Sequence, residues 1–225
     1  MPTDTIRSDD PSARPVAGES VEPYPQSRAA PTAARVGAIT LARHGEPGLS
    51  RNVRLNAAEY VDWWARYEET GLLEGQTPPD HLVETVRNAH VILSSTRIRA
   101  IETARAVTHG RAFDMDAILI EAPLPPPRWP AWLRFSPRRW GVIARIWWWF
   151  FNHHDPGQES RDQAKLRADQ VAGRLDATAR AGNDVVVLAH GFFNTMIGLS
   201  LKKLGWKLVD DQGWRYWCAR RFERR

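Results

Sequence analysis

The sequence predicts an α/β fold, a three-layer sandwich in which a mostly parallel sheet carries helices on both faces. Three observations predict it. Short β-branched apolar runs, "GAITLAR", "HVILSS" and "DVVVLA", alternate with helix-length amphipathic segments. Two of these runs end in the same dipeptide, His-Gly, at 44–45 and 190–191. The chain has 225 residues, of which 43% are hydrophobic, enough for one large α/β domain with a proper core.

Residues 1–35 hold six of the sixteen prolines and show no apolar periodicity. Such a segment buries too little surface to offset its ordering entropy, so a disordered N-terminal tail is expected, with the folded unit at 36–225. "VGAITLARHG" starts that unit as a buried strand running into a loop. Tyr60, Trp64 and Tyr67 lie near helical spacing and predict a helix over 57–70, with Gly71 as its C-cap. A second helix runs from Asp80, an N-cap candidate, to about Asn88, and 90–95 is the next strand. A helix over 97–108 turns Ile98, Ile101 and Ala104 or Arg105 to one face, and "AILIE", 117–121, reads as a strand.

Residues 123–155 form a Pro- and Trp-rich insert. Proline punctuation opens it, and a helix over 137–151 contains "IWWWFF". Ser160 caps a long helix reaching about Ala181, 184–189 is the second strand to end in His-Gly, and a helix follows over 192–204. The tail "WRYWCARRF" alternates as an edge strand does.

The formal charge is +5, and Lys occurs only at 165, 202, 203 and 207, so the basic residues are overwhelmingly Arg. Guanidinium groups fork onto oxyanions, which favours phosphate-bearing partners without choosing among them. Cys218 is the single cysteine, which excludes an intramolecular disulfide and a thiolate metal site. The N-terminus lacks the apolar stretch of a signal peptide, and no run approaches the ~18 apolar residues of a membrane span. A cytoplasmic protein is expected.

The two His-Gly endings would place His44 and His190 at one edge of the sheet, where α/β proteins build their sites. The helix after Gly191 aims its N-terminal amides there, and such amides favour anions. "HVILSS" runs into "TRIRAIETA", bringing Arg97 and Arg99 to the start of another helix, and "AILIE" delivers Glu121 to a loop. Two histidines, two or three arginines and a glutamate at strand ends make a metal-free set for phosphoryl transfer.

In their order and approximate spacing, "LARHGEP", "SSTRIRAIETA", "LIEAP", "GQES" and "VVVLAHGFFN" resemble the histidine phosphatase superfamily, with its phosphoglycerate mutase-like fold, over about residues 36–200. The resemblance implies His44 as the nucleophile that carries phosphohistidine and Arg43 as its neighbouring phosphate ligand. It makes Arg99, rather than Arg97, the second phosphate arginine. It implies His190 as the second pocket histidine, hydrogen-bonding the phosphoryl group, and Glu121 as the proton donor. The family often has Asn six residues after the nucleophile; Ser50 stands there, with Asn52 close by. The activity implied is hydrolysis of a small-molecule phosphate monoester, without metal, cofactor or nucleic acid. A phosphomutase ranks lower because the mutases' Glu-Arg-His-Tyr-Gly segment is missing around Glu121. An inactive phosphate-binding or membrane-surface module is the alternative from another class.

Arg43 and Arg99 should lower the pKa of His44 and keep it nucleophilic at pH 7. His153 and His154, beside Asp155, read as solvated loop residues rather than metal ligands. The insert is expected to cap the pocket and present one of Trp147, Trp148 and Trp149 to it, favouring substrates with apolar bodies. Its other reading is peripheral membrane contact through 147–151, flanked by Arg138, Arg139 and Arg145.

Overall fold

The computed structural model describes residues 22–24 and 35–224. Six strands form one sheet in the order β3-β2-β4-β1-β6-β5. They are β1 (Ile39–Arg43), β2 (Val91–Ser94), β3 (Asp114–Met115), β4 (Val185–Ala189), β5 (Lys207–Asp211) and β6 (Ala219–Glu223). The first four are parallel, while β6 runs antiparallel to β1 and β5 antiparallel to β6.

Alternate residues of the central strands feed two cores, which gives the sandwich its layers. Ile39, Leu41, Val91, Leu93, Val185 and Val187 pack with α5 (Arg161–Arg180) and α6 (Gly191–Lys203). Ala42, Ile92, Val186 and Leu188 pack with α2 (Asp80–Asn88) and α3 (Ile98–Thr108). A third cluster joins α1 (Ala57–Glu69) to α4 (Pro137–Phe151) through Tyr60, Trp63, Tyr67 and Trp140, stacked at centroid distances of 5.0–6.0 Å. Asn56 closes a capping box at the start of α1, and Ser160 does the same for α5, as its sequence predicts.

The expected strand at 117–121 is instead a 3₁₀ turn, Ala117–Leu119, and β3 lies just before it. The Asp116 side chain accepts from the Ile118 amide at 3.0 Å, a local bond that bends the chain out of the sheet. The tail strand β6 is not an edge strand. It sits between β1 and β5, and the edge belongs to β5, whose exposed polar residues carry no apolar alternation. In α3 the buried face is Arg99, Ala100, Thr103, Ala104 and Val107, while Ile98 is exposed. Pro79 caps α2, with Asp80 its first residue, and α1 ends at Thr70 rather than on a Gly71 cap.

Most of the expected N-terminal tail lies outside the described residues. Within it, Tyr24 is buried: its amide donates to Thr178 Oγ1 at 2.9 Å, and Arg174 lies 3.8 Å from its ring centroid. On α4, Trp148 is fully buried, whereas Phe150 and Phe151 are 71% and 65% exposed. Among the described residues no helix is long and apolar enough to cross a membrane.

Candidate active site

The parallel register of β1 and β4 pairs Arg43 with Ala189, so His44 and His190 leave the sheet side by side. Their rings lie 5.2 Å apart at 63°. His44 is 2% exposed. Its Nδ1 lies 2.7 Å from the Gly45 carbonyl and donates to it, while Arg99 Nε points at Nε2 from 3.3 Å. This assignment leaves the Nε2 lone pair free of a proton. Burial, then the guanidinium groups of Arg99 and Arg43, hold the imidazole well below the ordinary histidine range, as the sequence predicts for the arginines. Gly45 is needed for its lack of a side chain: a Cβ there would sit 2.3 Å from the Trp217 ring. The Gly45 amide donates to Thr103 Oγ1 at 2.9 Å, tying the loop to α3.

Arg99 is 1% exposed and spans the site. Its Nη1 donates to the Tyr67 carbonyl at 3.0 Å, and its Nη2 reaches Glu68 Oε1 at 2.8 Å and His190 Nδ1 at 3.3 Å. His190 is buried and does not line the cavity over His44. Its Nε2 lies 2.9 Å from Ser95 Oγ, the second serine of the "SST" run. With Nδ1 facing an Arg donor, Nε2 carries the proton, and no N–H of the ring is left for a phosphoryl oxygen. The expected direct hydrogen bond from His190 to phosphate therefore does not fit this arrangement. Burial and Arg99 also press the His190 pKa well below its ordinary value.

Arg43 lines the cavity with its guanidinium 4.3 Å from the Tyr216 ring centroid, donating to the Trp214 carbonyl. Glu121 lines the same cavity. Its carboxylate accepts from the Phe193 amide at 2.8 Å and the Phe192 amide at 3.3 Å, at the N-terminus of α6. The loop that presents it is held by Arg167, which donates to the carbonyls of Ile118 and Ile120 and pairs with Glu159 of the "GQES" motif. The structure thus brings Arg43, His44, Arg99 and Glu121 to one cavity of about 420 Å³.

Ser50 and Asn52 do not line it. The residue between them does: Arg51 donates to Tyr67 Oη at 2.8 Å and lies 5.2 Å from the Tyr67 and Tyr216 ring centroids. Glu68, which also pairs with Arg97, was equally outside the sequence reading. None of Trp147, Trp148 and Trp149 lines the cavity. The insert contributes Pro137, Arg138, Gly141 and Arg145, and the aromatic walls include Tyr60, Trp63 and Trp64 from α1 with Phe192 and Trp214. His153 and His154 contact the Pro126 and Asp155 carbonyls, and among the described residues no group of three or more His, Cys, Asp or Glu could hold a metal ion.

The model of the histidine phosphatase superfamily (branch 1) matches residues 39–223, from the first residue of β1 to the last of β6. The chain belongs to the histidine phosphatase superfamily. The superfamily fold recurs in solved structures. A protein described as mycobacterial hydrolase 1 is 23% identical over 74% of this chain and 81% of its own, with a TM-score of 0.50. A mutant phosphoserine phosphatase from Entamoeba histolytica, in complex with phosphoserine, is 16% identical over 74% and 80%, also at 0.50. A mycobacterial glucosyl-3-phosphoglycerate phosphatase is 22% identical over 74% and 80%, at 0.49. No curated protein matches the chain in sequence.

Proposed function

We propose that this superfamily member is a phosphomonoesterase that hydrolyses an organic phosphate ester through a phosphohistidine at His44. The observation that carries the reading is the placement of His44 Nε2, which faces the Arg99 Nε donor at 3.3 Å between Arg43 and Arg99, in a cavity that also holds the Glu121 carboxyl group. Nε2 attacks phosphorus in line with the departing ester oxygen, forming the P–N bond as the P–O bond breaks. Arg43 and Arg99 stabilise the charge spread over the equatorial oxygens. Glu121 gives its proton to the leaving alkoxide. Water then attacks phosphorus, Glu121 takes the water's proton, the P–N bond breaks and neutral His44 returns. His190 is a positioning residue: its ring bridges Arg99 Nη2 and Ser95 Oγ and so holds the guanidinium whose Nε faces His44.

The inactive binding module is the weaker reading because the nucleophile and a carboxyl group share one cavity. The test is phosphate release from a panel of phosphomonoesters, including p-nitrophenyl phosphate, without added metal. Wild type should turn over at least one ester, and His44→Ala none, with its circular dichroism unchanged. Equal turnover by both proteins would remove His44 from the mechanism.

A further inference from the structure

The cavity over His44 is more cationic than one phosphate ester requires. Five arginines line it, Arg43, Arg51, Arg99, Arg138 and Arg145, against the single carboxyl group of Glu121. Arg99 is neutralised by Glu68, whereas the other four have no carboxylate partner among the described residues. Burial keeps His44 and His190 neutral. A phosphate dianion and Glu121 together supply at most three negative charges against those four guanidinium groups. Charge of one sign left in a partly enclosed cavity attracts a further anion.

The surplus is localised. Arg138 and Arg145 come from the insert helix α4, three residues before and four residues after Gly141, so all three share one helix face. Gly141 leaves a cradle between them. A Cβ at that position would lie 3.0 Å from Arg145 Nη1 and 3.7 Å from Tyr60 Oη. Tyr60 is 1% exposed, lines the cavity, and its hydroxyl has no hydrogen-bond partner. A buried hydroxyl without a partner is costly, and a ligand oxygen at the cradle would satisfy it. The Arg145 guanidinium donates from Nη1 to the Gly141 carbonyl at 2.9 Å, one turn back on its own helix, which leaves further donors for a ligand.

We infer that the substrate carries a second oxyanion, a carboxylate or another phosphate, held by Arg145, Arg138 and the Tyr60 hydroxyl while its ester phosphate lies at His44. The inference rests on the phosphatase reading and names its substrate class. It also revises the preference for substrates with apolar bodies expected from the sequence. The walls between the two ends are aromatic, so the substrate's middle packs on rings while its ends are anionic.

Matched esters test it. On one scaffold phenyl phosphate is compared with 4-carboxyphenyl phosphate and benzene-1,4-diol bisphosphate. On a shorter one, glycerol 3-phosphate is compared with 3-phosphoglycerate. On at least one scaffold the charged member should have a kcat/KM at least about tenfold higher, expressed mainly in KM, because the second anion binds equally in ground and transition states. The two charged aryl esters distinguish carboxylate from phosphate. The preference should fall at least about fivefold in Arg145→Gln and in Tyr60→Phe. Tyr60→Phe keeps the packed ring and removes only the unpartnered hydroxyl, so a purely structural Tyr60 would leave the preference intact; it also serves alone if Arg145→Gln does not fold. Hydrolysis of the esters that lack a second anion, with no preference on either scaffold, overturns the inference and leaves the phosphatase reading standing. A preference that survives both substitutions overturns the assignment to this cradle. Failure to hydrolyse any of the esters removes the phosphatase reading and this inference with it.

Discussion

At the scale of single residues, the two histidines make stability depend on pH. Burial, seconded by Arg99, lowers both imidazole pKa values in the folded chain, while the unfolded chain protonates them near about pH 6.5. Below that pH the unfolded state binds more protons than the folded one. The stabilisation is therefore complete above the unfolded value and lost as pH falls, by up to about 1.4 kcal/mol per pH unit for each ring. Urea midpoints at about pH 7.5 and 5.5 should separate more for wild type than for His44→Gln; equal separation would mean that His44 is not held neutral. Glu121 carries a second prediction. If it protonates the leaving group, Glu121→Gln should slow alcohol release from alkyl phosphates in a single turnover, the step that forms phosphohistidine, by about 10²–10⁴-fold, and nitrophenolate release from p-nitrophenyl phosphate much less, because nitrophenolate departs without a proton. Equal losses on both would assign Glu121 to positioning. His44, Arg43 and Arg99 were legible because they sit in contiguous runs with fixed spacing. Glu68 and Arg51 were not, since each acts through a contact made in space: Glu68 with Arg99 across 31 positions and Arg51 with Tyr67 across 16.

At the scale of elements, helix α4 lies where the sequence predicts it, over 137–151, but the face it turns to the cavity is not the expected one. Three consecutive tryptophans must point in different directions, and the sequence does not say which faces inward. The answer is set by partners distant in the chain. Trp148 packs against Phe192 with centroids 5.7 Å apart and donates to the Glu159 carbonyl, while the cavity takes the Arg138–Gly141–Arg145 face. Trp148→Ala should therefore destabilise the fold by about 3–5 kcal/mol, and Trp147→Ala and Trp149→Ala by clearly less, since both are half-buried. Denaturant midpoints measure this, and equal losses for all three would contradict the assignment. The run at 117–121 misled for a related reason. Its apolar residues suit a strand, but Asp116 at its start offers the backbone a local turn, and that turn won.

At the scale of the molecule, the layered architecture was legible because two apolar strands ending in His-Gly fit a parallel sheet with a shared edge. The neighbouring positions of β1 and β4 turn that repeat into a site, and α3 and α6 supply the arginine and the helix start that complete it. The sequence did not show that the tail strand β6 inserts next to β1, because strand order depends on pairings that alternation alone does not encode. That pairing brings Tyr216 and Trp217 against His44 and Gly45, closing the site from the C-terminal side. The central claim is that this assembly makes His44 a phosphoryl acceptor. Its most direct test is rapid acid-free quenching of wild type during turnover of a radiolabelled phosphomonoester, followed by mapping of the label. The account predicts label on the peptide containing His44, stable to base, lost in acid, and absent from His44→Ala. Label that survives acid, or that maps to another peptide, would contradict it.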